Sequence, residues 1–355
     1  MQLRDWFFGL FGRRARHEDG GLRKRGPATH VIILDGTQST LDTGHETNAG
    51  ITFKLLSEAS QAANMTIYYE AGIQWRDWAS TWDVMTGKGI NRQIKRAYGV
   101  VASRYRVGDQ IILVGYSRGA YAVRSLAGVI DVVGLLKHDC ATERAITQAY
   151  RHYRLGGRSK YARAFRDVHC HPDVQIEAVA VWDTVKALGL RMPIVWRWFA
   201  RDDQDFHSHA LGPHVRNGFH ALGIDERREA YAPVLWTTPE AWRGRIEQVW
   251  FRGNHGDVGG QVGGHLAARP LANIPLIWML ERLEMCGVLL PQGWQTRFVQ
   301  DVNAPSIGNW RGWSKIFLYR RRRLIGRDGS ESLHDTVADR QGQSTLRQFH
   351  DQTSG

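Results

Sequence analysis

The residues best suited to chemistry in this chain begin with Ser117, which lies in Gly115-Tyr116-Ser117-Arg118-Gly119 with a glycine two positions to either side. That spacing suits a serine lifted on a sharp strand-to-helix turn, where Gly115 and Gly119 leave room for the neighbouring backbone. A serine hydroxyl is a poor nucleophile alone. It needs a base to take its proton and a carboxylate to orient that base. Asp183, in Val181-Trp182-Asp183-Thr184-Val185, and His255, in Asn254-His255-Gly256-Asp257-Val258-Gly259-Gly260, follow in the order such a set requires. The chemistry they would support is attack on the acyl carbon of a carboxylic ester, with no cofactor. Of the fifteen histidines, His255 alone follows a late strand and lies in a Gly-rich loop; His220, His265 and His334 are weaker candidates.

Each of these residues needs an element to carry it. The apolar run Ile111 to Val114 ends at Gly115, and an apolar helical pattern opens at Arg118. The Arg118 amide therefore points back towards Ser117 as a donor for an oxyanion. The run Ile176 to Trp182 ends at Asp183, placing the carboxylate at a strand's C-terminal end, where α/β sheets keep their sites. Ile246 to Phe251 precedes the glycine-rich loop, whose flexibility would return the His255 imidazole to Ser117. His30 to Leu34 leads into Asp35-Gly36-Thr37-Gln38, from which an amide of Gly36, Thr37 or Gln38 would supply a second oxyanion donor. These runs and Thr66 to Tyr69 are continuous in apolar residues, as strands buried on both faces are. Helical stretches at Asn91 to Tyr105 and Arg118 to Ile130 alternate with them. The pattern predicts an α/β-hydrolase fold, a mostly parallel sheet with helices on both faces.

Other readings attach to some of these residues. Asp35-Gly36-Thr37 is also a plain polar turn, or a phosphatase loop with Asp35 as nucleophile. The phosphatase would leave Ser117, Asp183 and His255 unexplained, and no paired downstream carboxylates follow a strand to hold Mg²⁺. Asp257 would either bind a cation or brace the His255 loop, and bracing is the commoner role for an Asp among glycines. His169-Cys170-His171 is not a metal site by pattern, because adjacent ligands on an extended chain point apart.

At 355 residues and 43% hydrophobic content the chain can bury a large core as one domain with an inserted cap. We divide it into a basic amphipathic N-terminal arm over residues 1–29, a hydrolase domain over 30–320 with a lid-like helical insertion at about 187–245, and a basic, then polar, tail over 321–355. The net charge of +12 is concentrated towards the two ends, at Arg13, Arg14, Arg16, Arg23, Lys24, Arg25 and at Arg320 to Arg323. A basic surface attracts anionic partners of any kind. The arm, with Leu3, Trp6, Phe7, Leu10 and Phe11 at helical spacing, fits an anionic membrane surface or a patch of the protein's own. No specific nucleic acid is expected. Cys140, Cys170 and Cys286 form no C-x-x-C pair and suit a reducing compartment. With neither a signal peptide nor a membrane-spanning run, the expected location is cytoplasmic or peripheral to a membrane, or beyond it through a specialised secretion system.

Longer motifs extend the pattern. Asp35-Gly36-Thr37, Gly108-Asp109-Gln110-Ile111, Gly115-Tyr116-Ser117-Arg118-Gly119-Ala120-Tyr121 with Arg124, Val181-Trp182-Asp183-Thr184-Val185, His220-Ala221-Leu222-Gly223-Ile224-Asp225-Glu226-Arg227-Arg228 and His255-Gly256-Asp257-Val258-Gly259-Gly260 together resemble the α/β-hydrolase family that includes the phospholipase effectors of type VI secretion. The resemblance covers about residues 30 to 290. It implies a Ser, Asp, His triad falling on Ser117, Asp183 and His255, and cleavage of phospholipid esters as by a lipase or phospholipase A. Members usually carry an Asn soon after Asp-Gly-Thr, where Gln38 and Ser39 stand here. The large membrane-anchoring extensions of the secreted effectors are absent from the pattern, which keeps a non-lipid carboxylesterase or thioesterase as the nearest alternative. A catalytically silent membrane-associated module is the alternative from another class.

Overall fold

A computed structural model of the chain describes residues 26–60, 63–72, 88–185, 210–240, 242–308 and 319–337. The expected apolar runs, with two further segments, form the strands of a seven-stranded sheet: β1 (Thr29–Leu34), β2 (Met65–Glu70), β3 (Gln110–Tyr116), β4 (Ile176–Trp182), β5 (Val215–Gly223), β6 (Arg245–Phe251) and β7 (Glu331–Leu333). Their order is β2-β1-β3-β4-β5-β6-β7, and every neighbouring pair runs parallel. Helices α1 (Asn48–Ala59), α2 (Lys88–Arg104), α3 (Arg118–Val133), α4 (Glu143–Arg154), α5 (Lys160–His169), α6 (His255–Gly259) and α7 (Arg269–Met285) cover it. This is the α/β-hydrolase fold.

The central strands β1 and β3 read as solid apolar because they are buried on both sides. On β1, Ile32 and Leu34 join one core with α2 and α3, while Val31 and Ile33 join a second core with α1 and α7. On β3, Ile111 and Leu113 divide in the same way from Ile112 and Val114. Each fully buried Leu or Ile contributes about 1.5–3 kcal/mol. The two layers clamp the sheet, and with it the direction in which its C-terminal edge points. Helix α7 is buried from Leu271 to Leu280, whereas α4 and α5 bury only Ala149, Tyr153, Ala162 and Phe165.

Two boundaries differ from expectation. The stretch 187–245 contains β5, an interior strand of the sheet paired with β4 and β6, so it is not all insertion. Its sequence hid it: Arg216 and Asn217 are polar because they bond to Glu177 on β4, and His220 is polar yet fully buried. The domain also runs past residue 320. Strand β7 pairs with β6, Trp250 Nε1 donates to Glu331 at 2.8 Å, and Arg323 reaches into the sheet's C-terminal edge. A three-residue edge strand carries too little pattern to be read ahead of time. The arm over residues 1–25, the segment 186–209 of the expected lid and the tail from 338 lie outside the described residues; Thr29, placed in the arm, already opens β1.

Candidate active site

The chain builds β2 on one side of β1 and β3 on the other, so the topological switch lies between β1 and β3. A crevice opens there beyond the strands' C-terminal ends. Asp35 follows β1, Ser117 follows β3, Asp183 follows β4 and His255 lies just beyond β6. Backbone strain gathers at the same edge. Among the described residues, the non-glycine residues with positive φ are Gln38 at 59°, Ser117 at 57° and Asp183 at 40°. Each such conformation costs about 1–3 kcal/mol and persists only where packing over-determines it.

At Ser117 that packing is visible. Its N–H donates to the Trp182 carbonyl at 3.0 Å, tying the turn to the end of β4, and its own carbonyl accepts from Tyr121 as α3 begins. A Cβ on Gly115 would lie 2.7 Å from Ala120 Cα, and one on Gly119 would overlap the Leu34 carbonyl. Helix α3 can cross the sheet this closely only where those side chains are missing.

Ser117, His255 and Asp183 come together in one hydrogen-bonded chain. His255 Nε2 is 2.9 Å from Ser117 Oγ, and His255 Nδ1 is 2.6 Å from Asp183 Oδ2. Their spacing along the sequence is large, so the sheet order alone makes them meet. His255 is not on a flexible loop, as the glycines suggested. It opens helix α6, where Asn254 and Asp257 form a reciprocal capping box and all five helical residues are buried. The glycines serve close packing: a Cβ on Gly256 would lie 2.5 Å from Ile307, and one on Gly259 would overlap the Tyr116 ring. The imidazole is held between Tyr116, at 5.0 Å, and Tyr231, at 4.7 Å between ring centres. The His255 N–H donates to Glu226, itself paired with Arg228 at 2.6 Å.

The electrostatics favour a neutral imidazole beside an ionised carboxylate. Burial pushes His255 below its ordinary 6.5, against the opposing pull of Asp183. Burial would raise Asp183, but Arg323 and then His255 outweigh it and hold the carboxyl well below the usual range. A neutral imidazole with Nδ1–H fixed on a carboxylate presents Nε2 as an acceptor, which is what removing a proton from Ser117 Oγ requires.

The early loop leaves only some of its expected donors open. Gly36 is excluded as an oxyanion donor, because its N–H donates to Asp35 Oδ1 at 2.6 Å. The amides of Thr37, Gln38 and Arg118 bond to no described residue, and Gln261 holds the Thr37 carbonyl at 3.0 Å. Asp35 is a brace and not a nucleophile: it also accepts from Thr47 Oγ1 at 2.6 Å and Tyr69 at 2.8 Å, with burial raising its pKa to about 6. Asp257 likewise accepts from Asn254 and Ile307 amides and from Ser306 Oγ. Its oxygens brace α6 against the 304–308 loop.

Several residues at the site escaped the sequence. Arg323, read as tail, grips Asp183 with both Nη atoms at 2.5 and 2.8 Å. Tyr231 and Glu226 flank His255 with no spacing to announce them, although Glu226 lies inside a quoted motif. His220 is the remaining surprise. Burial pushes it to about 3, and its Nε2 accepts the Thr184 N–H at 3.1 Å, so it fixes the turn after Asp183. His334 stacks on Phe251 near the sheet's β7 edge.

Residues 29–282 match the family described as T6SS, phospholipase effector Tle1-like, catalytic domain. The chain belongs to this family. It is the family the motifs pointed to, and its description names a phospholipase effector. Over 266 residues the chain is 24% identical to the uncharacterized protein YEL023C of Saccharomyces cerevisiae, covering 66% of this chain and 37% of the yeast protein. Among solved structures, an uncharacterized protein from Pseudomonas aeruginosa aligns with a TM-score of 0.44 at 15% identity, over 78% of this chain and 49% of that one. The apo form of Thermogutta terrifontis esterase 2 aligns with a TM-score of 0.38 at 14% identity, over 75% and 87%. The chain thus spans less than half the length of the yeast and Pseudomonas proteins. Arg323 lies well beyond the end of the family match at residue 282.

Proposed function

We propose that the chain is a serine hydrolase that cleaves carboxylic esters, and that its substrates are the acyl esters of phospholipids. The observation that carries the first half is the Asp183–His255–Ser117 chain of hydrogen bonds at the tip of a strained strand-to-helix turn. Ser117 Oγ attacks the acyl carbon while His255 Nε2 takes its proton, and Asp183 steadies the imidazolium. The Arg118 amide and those of Thr37 and Gln38 receive the developing oxyanion. The leaving alcohol takes the proton back from His255, and water, deprotonated by the same imidazole, releases the acyl group and restores Ser117.

The lipid half draws support from the family and from surface chemistry beside the site. The segment whose Arg323 touches Asp183 pairs with Arg227–Glu229 and exposes Tyr319 (64%), Arg321, Arg322 and Leu324 (41%), next to exposed Arg227. Cations with apolar neighbours suit an anionic headgroup layer. No described helix is long and apolar enough to cross a membrane. Delivery through a secretion system belongs to the same reading and rests on the family description alone.

The test compares turnover on vesicles containing phosphatidylglycerol with turnover on a monomeric short-chain ester. Faster acyl release from vesicles is expected. Activity on the monomeric ester alone would sink the lipid half and leave the ester hydrolase standing; activity on neither would remove both.

A further inference from the structure

The Asp183 carboxylate is saturated with donors. Oδ1 accepts from Gly223 N–H at 3.0 Å and Arg323 Nη1 at 2.5 Å; Oδ2 accepts from His255 Nδ1 at 2.6 Å and Arg323 Nη2 at 2.8 Å. The Arg323 side chain is only 4% exposed, and its Nη atoms also donate to the Gly223 and Tyr231 carbonyls at 2.7 and 2.6 Å. Four acceptors fix the planar fork of the guanidinium, and the fork in turn fixes the plane of the carboxylate. The Asp183 backbone does not depend on this grip, since its N–H already donates to the Ala221 carbonyl at 2.8 Å. A buried ion pair is moreover a poor device for stability alone, because desolvation offsets much of its attraction.

We infer that Arg323 is a positioning residue of the ester-hydrolase site, holding the Asp183 carboxylate in the plane that meets His255 Nδ1 and neutralising part of its charge. The inference rests on the serine-hydrolase reading above and extends it to a segment outside the family match. Its consequence concerns the imidazole. A full carboxylate charge beside His255 stabilises the imidazolium, so the base would stay protonated to higher pH; Arg323 removes part of that stabilisation. The other charged groups facing His255 are Glu226, which accepts its N–H, and Arg228. Those two pair with each other, and Tyr116 and Tyr231 cover the ring faces. Among the described residues, the Asp183–Arg323 pair is therefore the one left to set the balance at Nδ1. It also makes the site depend on the 319–324 segment, which exposes Tyr319, Arg321 and Arg322 on its other side.

The full chain is compared with its Arg323→Lys and Arg323→Gln variants by three readouts: Ser117 labelling rate by a fluorophosphonate against pH, His255 imidazole titration by NMR, and melting temperature. Arg323→Gln should raise the midpoint of both pH curves by about one unit. It should slow labelling above the midpoint by about 10- to 100-fold, the cost of a misplaced orienting group. Arg323→Lys, which keeps a charge but cannot bridge both oxygens, should slow labelling with a smaller shift. A lower melting temperature with the rate and both midpoints unchanged would mean a structural tie only and would overturn the inference. If Arg323→Gln does not fold, Arg323→Lys decides: wild-type rate and midpoints overturn it. Failure of the wild type to label, with the NMR midpoint still moving, would defeat the hydrolase reading and leave the Arg323–Asp183–His255 coupling intact.

Discussion

Among the described residues the sheet carries an Asp–His–hydroxyl chain at each of its two ends. At the C-terminal edge, Asp183 holds His255 at 2.6 Å and His255 holds Ser117 Oγ at 2.9 Å. At the N-terminal edge, Asp109 holds His30 at 2.9 Å and His30 holds Thr66 Oγ1 at 2.6 Å. Distances scarcely separate them, although Thr66 is half-buried where Ser117 is buried. Backbone does: Ser117 and Asp183 sit at positive φ, whereas His30 and Thr66 are paired residues in the regular ladder of β1 and β2. Asp109 also accepts from the Ala28 and Arg106 amides, closing a strand end. Ser117 opens a helix whose first amide, on Arg118, bonds to no described residue. The difference teaches that a relay of these three residue types is only a strut unless the hydroxyl stands on a strained turn facing unspent donors.

Paired substitutions can break that contrast. Ser117→Ala should abolish ester turnover, by on the order of 10⁶-fold if the three residues act as a unit. Thr66→Val should leave turnover per folded molecule unchanged while costing about 1 kcal/mol of stability through the lost hydrogen bond to His30. Steady-state rates on a short-chain ester, with urea unfolding alongside, measure both. Asp183→Asn should lower turnover by about 10⁴-fold through the wrong imidazole tautomer. Asp109→Asn should instead weaken the fold, since the Ala28 amide, the Arg106 amide and His30 share its oxygens. Equal losses of activity from the two Asp variants would contradict the contrast.

Smaller effects sharpen it. With His255 as the proposed base, which works only when neutral, turnover should rise with pH, and because burial outweighs Asp183 the midpoint of kcat/KM should lie below the ordinary 6.5. A midpoint above that value would mean that the imidazole is stabilised as a cation. Smallest is Tyr116→Phe, which removes hydrogen bonds to the His255 carbonyl at 3.2 Å and Gln261 at 3.3 Å but keeps the stacked ring. About 1 kcal/mol of stability and a few-fold in rate are expected, read by thermal unfolding and ester turnover.

What the sequence made legible follows the same physics. That Ser117, Asp183 and His255 share the sheet's C-terminal edge could be read because each terminates or closely follows a largely apolar run, the strongest signal in a parallel sheet. Strand β5 was hidden by Arg216, Asn217 and His220, polar residues whose partners lie on other strands. Arg323 was hidden for the opposite reason. It stands in a run of four arginines, where composition suggests a solvated tail, and only an extended segment turning one of them inward distinguishes it. The Gly36 amide was misassigned because nothing in Asp35-Gly36 announces that the carboxylate takes the following N–H. Local pattern reports which residues end strands; it is silent about which distant side chain spends a donor.

The central claim is that Ser117 is a nucleophile activated by His255, and a fluorophosphonate probe reads it directly. Wild type should be labelled at Ser117 and at no other residue, Ser117→Ala should take no label, and His255→Ala should label far more slowly while Thr66→Val labels like wild type. A wild type that resists the probe, or a Ser117→Ala variant that still reacts, would contradict the account.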